Sequence, residues 1–230
     1  MLAPLTRGIV TFRRTACRVP VSGEARVAGA GAIAYTAAAV TATRKEHTDR
    51  RGEELSMTRA ALTYAEHSHE GQRRRCDGAP FIQHPLEVAD LLRSAGADDE
   101  LIAAGLLHDV IEKCAVTREA LNERFGTRVT YLVNAVSENP LIDGYGTRKR
   151  ALREQVARSG SDALTLFAAD KVAKARELQI PGAKAPARRV AHYRQSLELL
   201  QGLLPNHPLT RQLGTELARV PARQAHAALP

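Results

Sequence analysis

Tryptophan is absent from this 230-residue chain, aromatics make up 4% of it, and methionine occurs twice. A core that cannot draw on aromatic rings is built from Leu, Ala, Val and Ile, which favours helices over sheets. No strand-like alternation of apolar and polar residues stands out, and there is no internal repeat. The sequence also lacks any run of about eighteen apolar residues, which argues against a transmembrane helix. The three cysteines, Cys17, Cys76 and Cys114, show no C-x-x-C spacing. Neither a disulfide framework nor a zinc finger is indicated, and a reducing, cytoplasmic setting is the simpler reading.

Charge of one sign is not concentrated anywhere. The net +8 divides evenly: residues 1–56 hold nine Lys/Arg against five Asp/Glu, and the remainder hold 24 against 20. A modest excess without aromatic–basic interleaving argues against nucleic-acid binding and suits a small anionic substrate.

Three parts are expected along the chain. Residues 1–56, Arg-rich at the start and uncharged from Ala28 to Ala42, read as a disordered extension or as residues upstream of a true start at Met57. Residues 57–204 read as the folded domain, and 205–230 as a C-terminal helix with a frayed tail. From Met57 the pattern is helical. A Gly-, Pro- and charge-rich loop covers 71–80. His84-Pro85 opens a helix that Gly96 ends. Asp98 caps a helix carrying Leu101 to Glu112. Thr117 caps a short helix broken at Phe125-Gly126, and Val129, Leu132, Val133 and Val136 continue as an amphipathic helix. Further helices cover 147–158, 162–179, 187–204 and 209–220.

What is present is a set of metal-capable side chains in apolar settings. His108-Asp109 follows Leu106-Leu107, His84 lies 24 residues upstream, and Asp170 lies 61 residues downstream. Burying such groups is costly unless they are paired or bind a metal. Two imidazoles and two carboxylates suit Mn, Fe or Zn, and Mg less readily. Glu112, one turn after His108, is placed to handle the proton of an attacking water. Arg74 and Arg75, in the loop before His84, have the guanidinium geometry to clamp phosphates.

These residues fall in stretches that resemble the HD-domain metal phosphohydrolases, and more narrowly the hydrolase domain of RelA/SpoT-type alarmone enzymes and their small stand-alone relatives. His69-Glu70-Gly71-Gln72 with Arg74-Arg75 is similar to the family's H-x-G-Q-x-R-K. Pro80 to Pro85 is similar to P-Y-I-x-H-P, and Leu106 to Glu112 to L-L-H-D-x-x-E-D. Phe125-Gly126 with Val129, Leu132, Val133 and Val136 is similar to F-G-x-x-V-x-x-L-V-x-x-V. Ala169-Asp170-Lys171 with Arg176 is similar to A-D-R/K-L-x-N-x-R.

The resemblance covers about Met57 to Leu204. It implies an all-α, HD-domain helical bundle around a buried metal site, with His84, His108, Asp109 and Asp170 as ligands to a divalent ion, Mn in the family. It further implies a phosphorylated-nucleotide substrate of the (p)ppGpp type, contacted by Arg74. Glu112 matches the first member of the family's catalytic acidic pair.

Three departures stand out. Lys113 replaces the second acid of that pair, Lys174 stands where the family has Asn, and Ala79 stands where an acid is common. Lys for Asp trades an acceptor for a donor: it removes a base and offers a phosphate contact, as does Lys174 one turn after Asp170. The expected function is therefore a metal-dependent phosphohydrolase. The alternative is a metal- and nucleotide-binding regulatory module with weak turnover. Nothing in the sequence sets the oligomeric state.

Overall fold

Asp98 accepts a hydrogen bond from the Leu101 N–H at 2.9 Å, and Thr117 accepts one from the Ala120 N–H at 3.2 Å. These two side-chain caps start helices where the sequence places them. A computed structural model of the chain describes residues 57–220. The expected extension over 1–56 and the end beyond 220 lie outside the described residues.

Nine helices occur among the described residues: α1 (57–68), α2 (Gln83–Ser94), α3 (Asp99–Leu107), α4 (Val110–Cys114), α5 (Arg118–Val136), α6 (Tyr145–Arg158), α7 (Ser161–Glu177), α8 (Ala187–Leu203) and α9 (Pro208–Ala218). They form an all-α bundle. Among the described residues there is no strand beyond an isolated antiparallel bridge, Arg73 to Pro80. That bridge orders the 71–80 loop, helped by Arg74 N–H to Ala79 O at 2.8 Å and Gly78 N–H to Arg74 O at 3.0 Å.

The central helix is α7. Its run Ala163 to Ala173 is buried without interruption, because an Ala-rich helix that is apolar all round must be enclosed rather than amphipathic. It packs against α2, α3, α5, α6, α8 and α9. Leu209, Leu213 and Leu217 of α9 bury themselves in the same core.

Two arginines tie elements at the rim of this core. Arg128 reaches Glu100 at 2.7 Å and Asp162 at 2.8 Å, joining α5 to α3 and α7. Arg176 reaches Glu87 and Glu216, each at 3.0 Å, joining α7 to α2 and α9.

Two glycines shape the bundle. Gly126, at φ +79°, interrupts α5 where the sequence shows its break. Gly105 sets the distance between α2 and α3: a Cβ there would stand 2.5 Å from Leu92 Cδ1. This close approach brings the start of α2 beside the end of α3.

One expected element differs. The helix read as continuous from Leu101 to Glu112 is two helices, with His108 as the last cap of α3 and Asp109 as the first of α4. Adjacent residues on a regular helix point about 100° apart. The break lets both side chains turn to one place, with His108 Nε2 3.4 Å from Asp109 Oδ2.

Candidate metal centre

Three parts of the fold converge on one point. The first turn of α2 supplies His84, the α3–α4 junction supplies His108 and Asp109, and the middle of α7 supplies Asp170. All four are buried. His84 Nε2 and His108 Nε2 stand 3.2 Å apart. Asp109 Oδ2 lies 3.7 Å from the first and 3.4 Å from the second, and Asp170 Oδ1 lies 3.2 Å and 3.5 Å from them. His84, His108 and Asp109 alone form a possible divalent-metal site, with donor atoms mutually within 4.8 Å.

Each outer nitrogen has an acceptor nearby, hydrogen-bonded for His108 but outside hydrogen-bond geometry for His84. His108 Nδ1–H donates to Gly105 O at 2.7 Å, and Glu177 Oε1 stands 3.4 Å from His84 Nδ1. With protons on both Nδ1 atoms, both Nε2 lone pairs look inward, as a metal requires of imidazole ligands. Two inward lone pairs and two carboxylate oxygens repel one another unless a cation or proton lies among them. Asp109 Oδ2 is itself buried without a hydrogen-bond donor. This donor set fits a divalent ion of borderline hardness.

The charge balance points the same way. Burial opposes the charged form of His108, but Asp109 and Asp170 outweigh it and raise its pKa to about 9. Burial would raise the two carboxyls, yet cations hold both well below the usual range: Lys113, His108 and Lys174 around Asp109, and Lys171 and Lys174 around Asp170. Lys171 is buried with Asp170 and packs its ammonium over the Phe167 ring at 4.4 Å. Burial lowers its pKa to about 8 despite Asp170.

Of the remaining residues singled out in the sequence, Lys113 and Lys174 reach the two carboxylates. Lys113 Nζ is 3.1 Å from Asp109 Oδ1, and Lys174 Nζ is 2.7 Å from Asp170 Oδ1. Glu112 is exposed, and its Oε1 accepts the Glu138 N–H, which ties α4 to the segment after α5. Arg74 donates to Asp77, with Nε 3.1 Å from Oδ1, and the charge of Glu177 acts on it. Arg75 is exposed on the same loop.

Sequence reasoning missed Glu177. Its signal was present: it follows Asp170 by seven residues, two helical turns, and so shares a face with it. His69, marked in the sequence only as part of the family-like motif, has its ring buried 4.7 Å from Phe81 and hydrogen-bonded through Nδ1 to Gln72 Oε1 at 3.0 Å.

The chain belongs to the HD-domain family, whose model matches residues 61–195. A guanosine-3′,5′-bis(diphosphate) 3′-pyrophosphohydrolase of Mus musculus is 35% identical over 130 residues, covering 55% of this chain and 72% of that protein. A protein of the same activity name from Vibrio cholerae is 34% identical, and a probable GTP pyrophosphokinase of Mycobacterium leprae is 32% identical; each match covers 70% of this chain. The chain spans 22% and 19% of those two longer proteins. Among solved structures, a metazoan ortholog of SpoT that hydrolyzes ppGpp superposes with a TM-score of 0.63 at 26% identity, over 70% of this chain and 94% of that one. Among the described residues no helix is long and apolar enough to cross a membrane.

Proposed function

We propose that this chain is a metal-dependent phosphohydrolase that removes the 3′-pyrophosphate of guanosine 3′,5′-bis(diphosphate) or a close analogue, leaving pyrophosphate and the guanosine 5′-diphosphate. The observation that carries the reading is the inward convergence of His84 Nε2, His108 Nε2, Asp109 Oδ2 and Asp170 Oδ1. The names of the mouse and Vibrio relatives supply the substrate class.

His84, His108, Asp109 and Asp170 are the residues that would hold the ion. When bound, a divalent ion supplies Lewis acidity toward phosphate and water. Mn as the working ion and a cytoplasmic setting belong to the same proposal.

The chain's own groups do the rest. Glu112, fixed by the Glu138 N–H, takes the proton of the attacking water. Arg74 turns from Asp77 to a phosphate, with Arg75 beside it. Lys113 supplies positive charge beside Asp109, and Lys174 offers its ammonium to the substrate phosphates, where a pyrophosphate leaving group gathers negative charge. The test is pyrophosphate release by the full chain with Mn, across guanosine tetraphosphate, guanosine pentaphosphate and simple nucleoside di- and triphosphates. Release from the 3′-pyrophosphorylated nucleotides alone is expected. No release from any of them overturns the proposal.

A second reading has its own observation. Lys113 sits on Asp109 where a second acid would otherwise serve. A module that binds ion and nucleotide without turnover would gain activity from Lys113→Asp, whereas a working hydrolase would not depend on that change.

A further inference from the structure

We infer that Lys174 is an internal counter-ion of the metal centre, an ammonium that a divalent ion must displace from Asp170 in order to bind. The inference rests on the metal-centre reading above and adds a competitor built into the chain.

The geometry singles out Lys174 from the other cations nearby. Asp170 Oδ1 is the oxygen that faces both imidazole nitrogens, at 3.2 Å and 3.5 Å, and it is the oxygen that Lys174 Nζ approaches to 2.7 Å. Lys171 takes the other oxygen, Oδ2. Lys113 likewise takes Asp109 Oδ1, leaving Oδ2 to the imidazoles. Lys113 and Lys171 therefore press on the outer oxygens, while Lys174 sits on an inner one.

An ion and an ammonium cannot both use Asp170 Oδ1 at close range, because like charges at such separation repel strongly in a buried setting. The position of Lys174 explains the competition: it follows Asp170 by four residues on α7, so the helix itself holds the pair together. Its side chain is 25% exposed, which leaves room to swing outward when displaced. By contrast Lys171, with 3% of its side chain exposed, is enclosed and stays.

Two consequences follow. Without an ion, Lys174 neutralises a carboxylate that would otherwise destabilise the fold, so the chain folds before it is loaded. With an ion, part of the binding free energy goes into breaking the Lys174–Asp170 pair, so affinity is lower than the four donors alone would give.

The experiment is Mn titration calorimetry on the full chain, with wild type, Lys174→Gln, Lys113→Gln and Lys184→Gln, each also melted in EDTA and in Mn. Lys184 is exposed in the segment before α8 and controls for loss of one positive charge. Lys174→Gln is expected to tighten Mn binding about tenfold or more, the scale on which contacting charged groups couple. Lys113→Gln should tighten it less, and Lys184→Gln should leave it within twofold of wild type. In EDTA, Lys174→Gln should melt below wild type, and Mn should raise its melting temperature by more.

Unchanged or weaker Mn affinity in Lys174→Gln overturns the inference, as does an equal gain in Lys184→Gln. A Lys174→Gln chain that folds only when Mn is supplied is the expected result in extreme form; one that stays unfolded with Mn overturns it. The underlying reading fails separately. If His108→Ala binds Mn as wild type does, or if wild type and Lys174→Gln both bind none, the metal centre itself is wrong.

Discussion

Glu177 Oε1 stands 3.4 Å from His84 Nδ1, on the far side of the ring from the point where Nε2 meets His108. A carboxylate behind a ligating imidazole selects its tautomer, aligns the ring and makes it a better donor. Glu177→Ala should therefore weaken Mn binding by about 10- to 100-fold. The loss should come without unfolding, since Glu177 is only partly buried. Glu177→Gln, which keeps an acceptor oxygen, should lose less. Calorimetric Mn affinities for the two variants decide it; equal affinities with wild type would remove Glu177 from the centre.

The closeness of α2 and α3 makes a second prediction. Gly→Ala inside a helix gains about 1 kcal/mol of propensity, but forcing a methyl into a filled core costs about 1–3 kcal/mol. A Cβ on Gly105 meets Leu92 Cδ1 at 2.5 Å, and Leu92 is fully buried. Gly105→Ala should thus be destabilising on balance, by about 1 kcal/mol and a few degrees of melting temperature. Because Gly105 O also holds His108 Nδ1, Mn affinity should fall as well. A variant that melts above wild type with unaltered Mn affinity contradicts this account of the spacing.

Much of this arrangement is legible in the sequence, for reasons that are local. Asp98 and Thr117 bond through their side chains to N–H groups three residues on, and Gly126 acts through its own backbone, so caps and break can be read from neighbours along the chain. The family motifs that hold His84, His108, Asp109 and Asp170 are also contiguous stretches. Two features were not legible because they depend on packing between segments. Glu177 matters only because α2 lies against α7. The break between His108 and Asp109 has no glycine or proline to announce it; Leu106-Leu107 and Val110-Ile111 read as one apolar run, and only the junction turns both side chains inward. The meaning of Lys174 was half visible. Its spacing from Asp170 placed it on the right face, but only coordinates distinguish the inner oxygen from the outer one.

Glu112 makes a third prediction. Its Oε1 accepts the Glu138 N–H, and glutamine offers the same acceptor, so Glu112→Gln should keep the fold and the Mn affinity. It loses the basic carboxylate. The rate of pyrophosphate release should drop by about 10²- to 10⁴-fold, the usual range for a lost general base, with the Mn dissociation constant within twofold of wild type. If the rate is unchanged, another group handles the proton.

The last prediction concerns acid stability and lies away from the metal centre. His192 of α8 is buried, with Arg153 Nη1 donating to its Nδ1 at 2.8 Å. The ring is therefore neutral with its proton on Nε2, which has no partner. Burial, reinforced by Lys171, Lys149, Arg153 and Lys174, lowers its pKa to about 2. In the unfolded chain the same ring titrates near the ordinary value of about 6.5. Below that pH the unfolded state takes up a proton that the folded state refuses. Stability is thus fully present above pH 6.5 and falls as the pH drops from there toward 2, by up to about tenfold in the folding equilibrium per pH unit. Between pH 6.5 and 5 the buried carboxyls contribute no slope, because their unfolded values lie lower still. His108, with a folded pKa of about 9 above its unfolded value, gives its own slope around pH 6.5, of opposite sign and common to wild type and variant, so it cancels on comparison. His69 and His207, also lowered by burial, add to the slope in every variant and cancel on comparison. Urea midpoints of wild type and His192→Gln at pH 7, 6 and 5 should therefore diverge, with wild type losing stability faster on acidification. Parallel curves would show that His192 takes up its proton without unfolding.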